Sequence, residues 1–350
     1  MGIRRYLRAA KFVAKKIAKG FRSRTRKFAS RADYWLSPWN LILGRPRGVE
    51  HIWPPSNFSR RSSIIFGVFD RPLARRGVFL PRHNSPALGP QEFKTFHDEH
   101  IVISKILTAL GKAPEDVFFV DIGAGDGIDM SNTYLLAAEG ANGIAIEFNP
   151  SKFAMMATTY RDLPKIALAK IPAKPSNICG LLIGLEFSGS AEVLNLDIDS
   201  YDFFVLRELL REFSFDILCL EINPIFPWEV EFSVNFPSEE WSGGWFSGMS
   251  LSLLSGLLID HGYGIVGVDR AAVFAVKAEA IIPGFPFIPE GLLQEKLDES
   301  LEGSSFGWVL GRFRNRPVDD VLEEFERAFS NQPRSSFLLR KSETSPQGAL

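Results

Sequence analysis

The sequence predicts an α/β fold: a doubly wound, mostly parallel sheet that ends in an antiparallel hairpin, preceded by a basic helical extension. Three observations support this prediction. Apolar runs alternate with helical patterns from residue 117 to residue 222. A glycine-rich turn directly follows the first apolar run. Two later apolar runs, 265–268 and 273–276, lie so close together that only a hairpin can join them.

The composition is that of an ordinary globular protein. Of the 350 residues, 45% are apolar and 23% are charged. Cys179 and Cys219 stand in apolar segments without the spacing of a zinc site, which predicts a reducing compartment and excludes a disulfide framework. No stretch approaches the roughly 18 apolar residues of a membrane-spanning helix. We therefore expect a cytoplasmic protein.

Residues 1–35 predict a basic amphipathic helix. Residues 1–31 hold 12 of the 40 basic residues and no acid, so the remaining 28 basic residues face all 41 acids. Apolar residues recur here at helical spacing: Ile3, Tyr6, Leu7, Ala10, Val13, Ile17 and Phe21. Peripheral contact with an anionic membrane, a transit peptide and a solvated or partner-packed tail all fit this pattern. Nucleic-acid binding is disfavoured, since the body is acidic and no reading motif is present.

Residues 36–90 predict an irregular connector, and residues 91–280 predict the main domain. The predicted elements are a helix over 91–110, strand 117–120, helix 128–139, strand 144–147, helix 176–186, strand 193–196, helix 201–213, strand 217–222, helix 251–259 and the hairpin. Residues 281–330 predict a loop followed by an acidic helix over 318–329. Residues 331–350 predict a disordered tail.

A side-chain-free turn of Gly123, Gly125 and Gly127 follows the first strand, where backbone groups can approach a ligand. Its G-x-G-x-G spacing lacks the third glycine of dinucleotide-binding turns. Asp121 and Asp126 add negative charge, which disfavours a pyrophosphate and favours the cationic amino and sulfonium groups of S-adenosylmethionine (SAM). The turn therefore predicts a SAM site in preference to a nicotinamide site.

Glu147 ends the second predicted strand, where a carboxylate can accept hydrogen bonds from both ribose hydroxyls of a nucleoside. With Asn149 it completes the predicted cofactor-binding set. That set is Asp121, Gly123, Gly125, Gly127, Glu147 and Asn149. The alternative is a tight structural turn with a surface acid nearby.

Polar residues also end the next two predicted strands: Asp197 and Asp199 follow one, and Glu221 and Asn223 follow the other. Ligands of open α/β sheets bind at this carboxyl edge. Asp197 or Asp199 is the candidate catalytic base toward an acceptor hydroxyl. Alternatively, all four residues hold a divalent cation that lowers the pKa of the hydroxyl. Cofactor contact, and helix N-capping by the Ser-Tyr-Asp run after Asp199, are the structural alternatives.

An aromatic-rich insertion follows the strand that ends at residue 222. Its rings are Phe226, Trp228, Phe232, Phe236, Trp241, Trp245 and Phe246. They predict either a lid that stacks on a sugar or aromatic acceptor, or a satellite core. His97 and His100 share a helical face, but no third metal ligand accompanies them, which favours surface or capping roles.

The segments VDIGAGDG, AIEFNP, LNLDIDSYDFFVL, LCLEINPIFP and GMSLSLLSGLLIDHGYGIVGVDRAAVFAV resemble FkbM-type SAM-dependent methyltransferases. The likeness spans roughly Gln91 to Lys277. It implies a seven-stranded, Rossmann-like methyltransferase sheet and methyl transfer, most commonly to oxygen. The chain departs from the family in the basic head, in the region after Glu279, and at Ser200, where members commonly carry glycine.

Together these features predict SAM-dependent O-methylation of a hydroxyl on a glycan, lipid-linked or secondary-metabolite acceptor. Two other classes stay open. One is a non-catalytic SAM-fold scaffold whose aromatic loop binds a partner, which the intact glycines and Glu147 disfavour. The other is a nicotinamide-dependent oxidoreductase, which the missing third glycine disfavours.

Overall fold

The computed structural model describes residues 99–237 and 244–342. The strands are β1 Phe118–Ile122, β2 Asn142–Ile146, β3 Ile166–Ala169, β4 Ser190–Leu196, β5 Ser214–Glu221, β6 Val230–Val234, β7 Tyr263–Asp269, β8 Ala272–Lys277 and β9 Phe337–Lys341. The helices are α1 Glu99–Ala109, α2 Tyr134–Ala138, α3 Pro150–Thr159, α4 Ile178–Gly184, α5 Asp202–Glu212, α6 Leu251–Asp260, α7 Leu293–Leu301, α8 Trp308–Phe313 and α9 Val318–Ala328.

Seven strands form one sheet in the order β3-β2-β1-β4-β5-β8-β7. Strands β1 to β5 pair in parallel, whereas β8 runs antiparallel to both β5 and β7. The inner strands are buried almost without interruption, as expected when helices cover both faces of a parallel sheet. This is the Rossmann-like methyltransferase sheet, so the predicted fold class is confirmed. The order in which successive strands are added to the sheet reverses between β1 and β4, and open α/β sheets bind ligands at the carboxyl ends of the strands at such a point.

The predicted hairpin is present, but its place in the sheet differs from the prediction in one respect. Strand β8 inserts between β5 and β7, pairing with β5 from Ile217 to Glu221. The sheet therefore ends on β7, and the antiparallel strand is second from the edge.

The helix predicted over 128–139 is reduced to α2 because side chains capture the amides before it. The Asp126 carboxylate accepts hydrogen bonds from the amides of Ile128 (3.0 Å) and Asp129 (2.8 Å). The Ser131 hydroxyl accepts one from the amide of Tyr134 (3.0 Å). Such side-chain bonds compete with helical hydrogen bonds, so the chain turns here and the helix starts later.

Helix α3 and strand β3 are absent from the sequence prediction. Helix α3 begins with a strong cap, because the Asn149 side chain accepts hydrogen bonds from the amides of Ser151 (2.9 Å) and Lys152 (3.2 Å) and Pro150 occupies the first turn. The Asn-Pro pair is therefore the sequence feature from which α3 could have been predicted. Strand β3 is only four residues long and two of them are alanine, so neither length nor composition marks it.

A second sheet pairs β6 with β9, which corrects one prediction. Residues 337–341 are a strand and not part of a disordered tail. Four rings of the insertion, Phe226, Phe232, Trp245 and Phe246, pack in a satellite core against the C-terminal helices, which is one of the two predicted alternatives. The rings in mutual contact there are Phe226, Phe232, Trp245, Phe246, Phe313, Phe325, Phe329 and Phe337. Trp241 lies outside the described residues.

The predicted helix 1–35, the connector 36–90 and His97 also lie outside the described residues. Within the described part of the chain, no helix combines the length and the apolarity needed to cross a bilayer. His100 belongs to none of the potential metal-binding groups found there.

Candidate functional site

The three glycines of the turn have different neighbours. A Cβ on Gly123 (φ +93°) would stand 1.6 Å from the carbonyl oxygen of Asp197, and one on Gly127 (φ +80°) would stand 2.7 Å from the Tyr160 ring. Both positions therefore need glycine for packing within the protein. Gly125 (φ +60°) would meet nothing within 4 Å. It is the glycine that faces open space, where a ligand can approach the backbone.

Most amides of the turn donate within the chain. The amides of Gly123 and Ala124 donate to the carbonyl of Ile146 (both 3.0 Å), and that of Gly127 donates to Ala124 (3.0 Å). The Asp126 carboxylate occupies the next two amides, as described above. A phosphate site needs a set of free, convergent amides. The turn does not offer one, and Asp126 is a capping residue.

Glu147 lies buried beneath the turn. One carboxylate oxygen accepts a hydrogen bond from the amide of Gly125 (3.0 Å) and the other accepts one from the amide of Asn149 (2.6 Å). Burial raises the pKa of Glu147, while these amides and the charge of Lys152 partly offset the rise. Each oxygen keeps a lone pair that can accept a hydroxyl proton. Phe148, the next residue, is 41% exposed, which the sequence pattern alone did not reveal.

Asp121 is an interior residue, 1% exposed. Its carboxylate accepts hydrogen bonds from the Thr133 hydroxyl (2.6 Å) and the Asn195 side-chain amide (2.9 Å), and the Asn132 amide donates to Asn195 in turn (3.0 Å). Burial raises the pKa of Asp121. Asp121 therefore joins β1, β4 and the following loop, where the sequence predicted a direct cofactor contact. Asn149 likewise uses its side chain to cap α3.

Asp197, Asp199 and Glu221 converge at the carboxyl ends of β4 and β5. One carboxylate oxygen from each lies within 4.8 Å of the others. The Asn223 side-chain NH2 donates to the carbonyls of Trp245 (2.9 Å) and Ser247 (3.0 Å), and its oxygen accepts a hydrogen bond from the Ile225 amide (3.3 Å). The three acids of the predicted metal-binding set therefore lie together, and cation binding by the set stays a prediction.

The pKa values of these acids are raised. Desolvation is the main cause, and it raises the pKa of Asp197 to about 7, with further contributions from Asp199, Asp202 and Asp121. The pKa of Glu221 is raised well above its usual range by desolvation and by Asp197 and Asp199. Asp197 is exposed and lies among the other carboxylates. Interacting acids of this kind titrate as a group and not one by one.

Asp202 shapes the turn that presents Asp199. It is fully buried, and its carboxylate accepts hydrogen bonds from the amides of Ile198 (2.8 Å) and Ser200 (2.9 Å). Burial raises the pKa of Asp202 to about 6, against the effect of these amides. The left-handed residue is Asp199 (φ +56°), and aspartate tolerates this conformation. Ser200 is not in the left-handed region.

The glycine turn and the carboxylate cluster are adjacent. The carbonyl of Asp197 fills the space that a Gly123 side chain would need, and the Asp197 amide donates to the carbonyl of Ile122 (3.0 Å). The turn therefore lies next to the strand end that carries Asp197. Period-2 alternation could have shown that Asn195 and Asp197 share one face of β4. No local sequence pattern predicts the hydrogen bond from Thr133 to Asp121.

The insertion contacts Tyr201 and the C-terminal helices. Phe236, 36% exposed, packs edge-on against Tyr201, with ring centroids 5.1 Å apart. Arg314 is buried and donates to the carbonyls of Pro224 (2.9 Å) and Ile225 (3.2 Å) and to Asp298 (2.8 Å). It fastens the turn after Glu221 to the C-terminal helices. These contacts join residues about ninety positions apart, so spacing could not predict them.

No family model matches the chain, and no curated protein matches it. Several solved structures are distantly similar. The N-terminal domain of EvdMO1 with S-adenosylhomocysteine (SAH) bound is 11% identical, with 51% of this chain and 80% of that chain covered and a TM-score of 0.36. Magnesium protoporphyrin IX methyltransferase from Synechocystis with bound SAH is 14% identical, with 51% and 81% covered and a TM-score of 0.33.

A SAM-dependent methyltransferase from Clostridium acetobutylicum is 12% identical, with 51% of this chain and 90% of that chain covered and a TM-score of 0.33. These neighbours are described as methyltransferases or bind SAH. At such distances it is the strand order that defines the fold class of this chain.

Proposed function

We propose that this protein is a SAM-dependent methyltransferase that acts on a hydroxyl group of its acceptor. One observation carries the proposal. The single glycine of the turn that faces open space, Gly125, donates its amide hydrogen bond to the carboxylate of Glu147, and the backbone of Asp197, one of three converging acids, packs against Gly123 of the same turn.

On the cofactor side, Glu147 accepts hydrogen bonds from the ribose hydroxyls and Gly125 leaves room for the nucleoside. Phe148 offers an apolar ring to the base. The excess of carboxylates near the turn attracts the cationic end of SAM. When bound, SAM supplies an electrophilic methyl group on sulfur.

On the acceptor side, we assign Asp197 as the general base. Its raised pKa lies close to neutrality, which suits a group that must take a proton from a hydroxyl. As the oxygen–methyl bond forms and the sulfur–methyl bond breaks, the hydroxyl proton passes to an Asp197 oxygen. Asp199 and Glu221 orient the hydroxyl and retain the shared proton.

A divalent cation is the alternative role for the same acids. Asp197, Asp199 and Glu221 offer three hard oxygen ligands, which Mg²⁺ accepts. Treatment with EDTA followed by added Mg²⁺ separates the two roles. Activity that EDTA leaves intact supports the base, and activity that needs Mg²⁺ supports the cation.

The two rival classes fit less well. A nicotinamide dinucleotide needs free amides for its pyrophosphate, and Asp126 and the Ile146 carbonyl already engage those of the turn. A non-catalytic scaffold gives no reason for uncompensated carboxylates to converge beside an open cleft, because such an arrangement destabilises the fold.

The test substitutes Gly125 with asparagine, which tolerates a left-handed backbone. Because the new side chain enters the open space above Glu147, we expect affinity for SAM to fall about tenfold or more. The matched control is Gly111→Asn. Gly111 also has a left-handed backbone (φ +71°) and an open environment, but it precedes β1 at the opposite edge of the sheet.

Isothermal titration calorimetry measures both affinities, and thermal unfolding verifies that both variants are folded. If Gly125→Asn binds SAM as tightly as Gly111→Asn, the site assignment is wrong. If the unaltered protein binds NAD more tightly than SAM, the oxidoreductase class replaces this proposal.

We also propose that residues 1–31 make peripheral contact with anionic membranes. The support is the concentration of 12 basic residues on an amphipathic pattern, since each basic residue near an anionic surface adds affinity. Removing residues 1–31 should reduce sedimentation with phosphatidylserine vesicles and leave SAM affinity unchanged. Equal sedimentation of the two proteins contradicts the proposal.

A further inference from the structure

An exposed apolar loop, residues 280–289, follows β8. Its ten residues include no charged or polar side chain: Ala280, Ile281, Ile282, Pro283, Gly284, Phe285, Pro286, Phe287, Ile288 and Pro289. The side chain of Ile281 is 93% exposed and that of Phe287 is 40% exposed, and Leu292, just beyond the loop, is 42% exposed. Large apolar side chains that gather on the surface in this way mark a binding surface.

Hydrogen bonds and a buried anchor fix the conformation of the loop. Its tip is a Pro-Gly turn, closed by a hydrogen bond from the amide of Phe285 to the carbonyl of Ile282 (3.0 Å). Ile282 is 5% exposed, so it anchors the turn in the core. The returning chain is tied to the edge strand β7, because the amide of Ile288 donates to the carbonyl of Ile265 (2.8 Å). The fold therefore presents the Ile281 side chain to solvent in a preorganised loop.

The backbone of the loop is suited to apolar surroundings. Three of its ten residues are prolines, which have no amide hydrogen. The amides of three others, Ala280, Phe285 and Ile288, already donate to carbonyls within the chain. An amide without a partner is costly to transfer from water into an apolar medium. Most positions of the loop therefore enter such a medium without this cost.

The size and the borders of the loop favour a lipid surface over a protein partner. A stable protein interface takes roughly 20–30 residues from each side, and the loop ends at an acidic residue on both sides, Glu279 and Glu290. A lipid interface needs only a few apolar side chains that reach the boundary between head groups and acyl chains. Stable attachment to a membrane usually combines such an apolar contact with a basic segment. Residues 1–31 supply the basic segment in this chain.

The loop leaves the sheet at the end opposite to the candidate site. Lys277, the last residue of β8, is paired with Asp216 near the start of β5, with Nζ and Oδ1 2.9 Å apart. Glu221, in contrast, is the last residue of β5. A bilayer that contacts the loop therefore lies at the end of the sheet away from the acids.

We propose that residues 280–289 insert apolar side chains, foremost Ile281 and Phe287, into the interfacial region of a lipid bilayer. The loop adds an apolar contact to the electrostatic attraction of residues 1–31. This interaction is independent of the methyl-transfer assignment, and it directs the carboxyl edge of the sheet away from the bilayer.

Ile281→Ser tests the loop, since the side chain is almost fully exposed and the substitution adds no charge. The full chain is sedimented with vesicles of phosphatidylcholine and phosphatidylserine at low and at high NaCl concentration. We expect affinity for the vesicles to fall about fivefold at both concentrations, because salt does not screen the burial of an apolar side chain. Ile183→Ser is the matched control. Ile183 is 62% exposed but lies in α4, between β3 and β4, and its substitution should leave binding unchanged.

Several outcomes overturn the proposal. They are no binding of the unaltered chain to the vesicles, equal binding by Ile281→Ser and the unaltered chain, equal losses in both variants, and a loss that disappears at high salt. Self-association of the unaltered chain that Ile281→Ser abolishes, measured by analytical ultracentrifugation without lipid, assigns the loop to a second copy instead.

This proposal and the earlier ones fail in distinguishable ways. The loss of vesicle binding caused by removing residues 1–31 should shrink at high salt, whereas the loss caused by Ile281→Ser should not. Calorimetry should give the same SAM affinity for the unaltered chain, Ile281→Ser and Ile183→Ser. A chain that binds vesicles through the loop but does not bind SAM keeps this proposal and loses the methyltransferase assignment.

Discussion

The two halves of the cleft are built on opposite principles. On the glycine side, close contacts determine the structure: Gly123 and Gly127 admit no side chain, and the amides of the turn are paired within the chain. On the carboxylate side, charges of one sign converge, and the pKa values of Asp197 and Glu221 are raised. Paired hydrogen bonds and close packing stabilise the glycine side. Repulsion between the carboxylates destabilises the other side.

This difference separates binding from reactivity. A preorganised backbone loses little entropy when a ligand binds, which suits the site of an invariant cofactor. Carboxylates held out of their ordinary pKa range exchange protons near neutral pH, which suits proton transfer. Substitutions on the glycine side should therefore change the fold or cofactor affinity. Substitutions on the acid side should change the rate and its pH dependence.

Gly123→Ala should have the largest effect. Its Cβ would stand 1.6 Å from the Asp197 carbonyl, in a left-handed backbone, so the two strand ends must separate. We expect the free energy of unfolding to fall by more than about 3 kcal/mol. Gly125→Ala, which meets nothing within 4 Å, should cost only about 1–2 kcal/mol. Urea unfolding measures both, and equal losses would remove the steric distinction between the two glycines.

Arg314→Ala should follow, because it removes the charged partner of Asp298, which keeps only the Gln294 amide, and the donor of the Pro224 and Ile225 carbonyls. We expect a loss of about 3 kcal/mol in urea unfolding. Arg314→Lys should recover part of it, since lysine keeps the charge but cannot reproduce three directed bonds. A loss below about 1 kcal/mol for Arg314→Ala would show that the turn after Glu221 holds its place without the C-terminal helices.

Asp197→Asn should reduce the methylation rate about a hundredfold, the usual contribution of a general base, and leave SAM affinity nearly unchanged. In the unaltered protein the base must be deprotonated. Because the pKa of Asp197 is raised to about 7, the rate should rise as pH increases from 6 to 8. The rise should be absent in Asp197→Asn. If that variant shows the same pH–rate profile as the unaltered protein, another group supplies the base.

Glu221→Gln should produce the smallest effect, and it should stabilise the protein. A carboxyl whose pKa is raised in the folded state binds protons more tightly when folded, so stability falls as pH rises above the unfolded pKa of about 4.3. Removing that charge should raise Tm by roughly 2–4 °C at pH 8. The gain should disappear near pH 4, where both states are protonated. A lower Tm at pH 8 would contradict the description of the cluster as electrostatically strained.

Particular elements show how far the sequence could predict the fold. The presence of β1, β2, β4, β5 and the hairpin follows from short-range apolar patterns, and the structure confirms these elements. The prediction for residues 128–133 fails because the Asp126 and Ser131 side chains take amides that a helix would use. Strand β9 could not be predicted, because its partner β6 lies about a hundred residues earlier and nothing local in 337–341 marks the pairing.

The candidate site divides in the same way. The sequence alone identified the glycine spacing, Glu147 and the paired acids, because a parallel sheet places the ends of successive strands at one edge. The hydrogen bond from Asn223 to the Trp245 carbonyl and the contact of Phe236 with Tyr201 depend on how the insertion folds.

The amino-acid order alone therefore determined the sheet, the turn and the acids that end its strands, since those features depend on local periodicity and strand polarity. The three-dimensional packing alone decided which polar groups form hydrogen bonds inside the protein and which remain available to a ligand. Hydrogen-bond partners and burial depend on residues far apart in the chain. Those partners and that burial set the pKa values of the acids and the packing of the insertion.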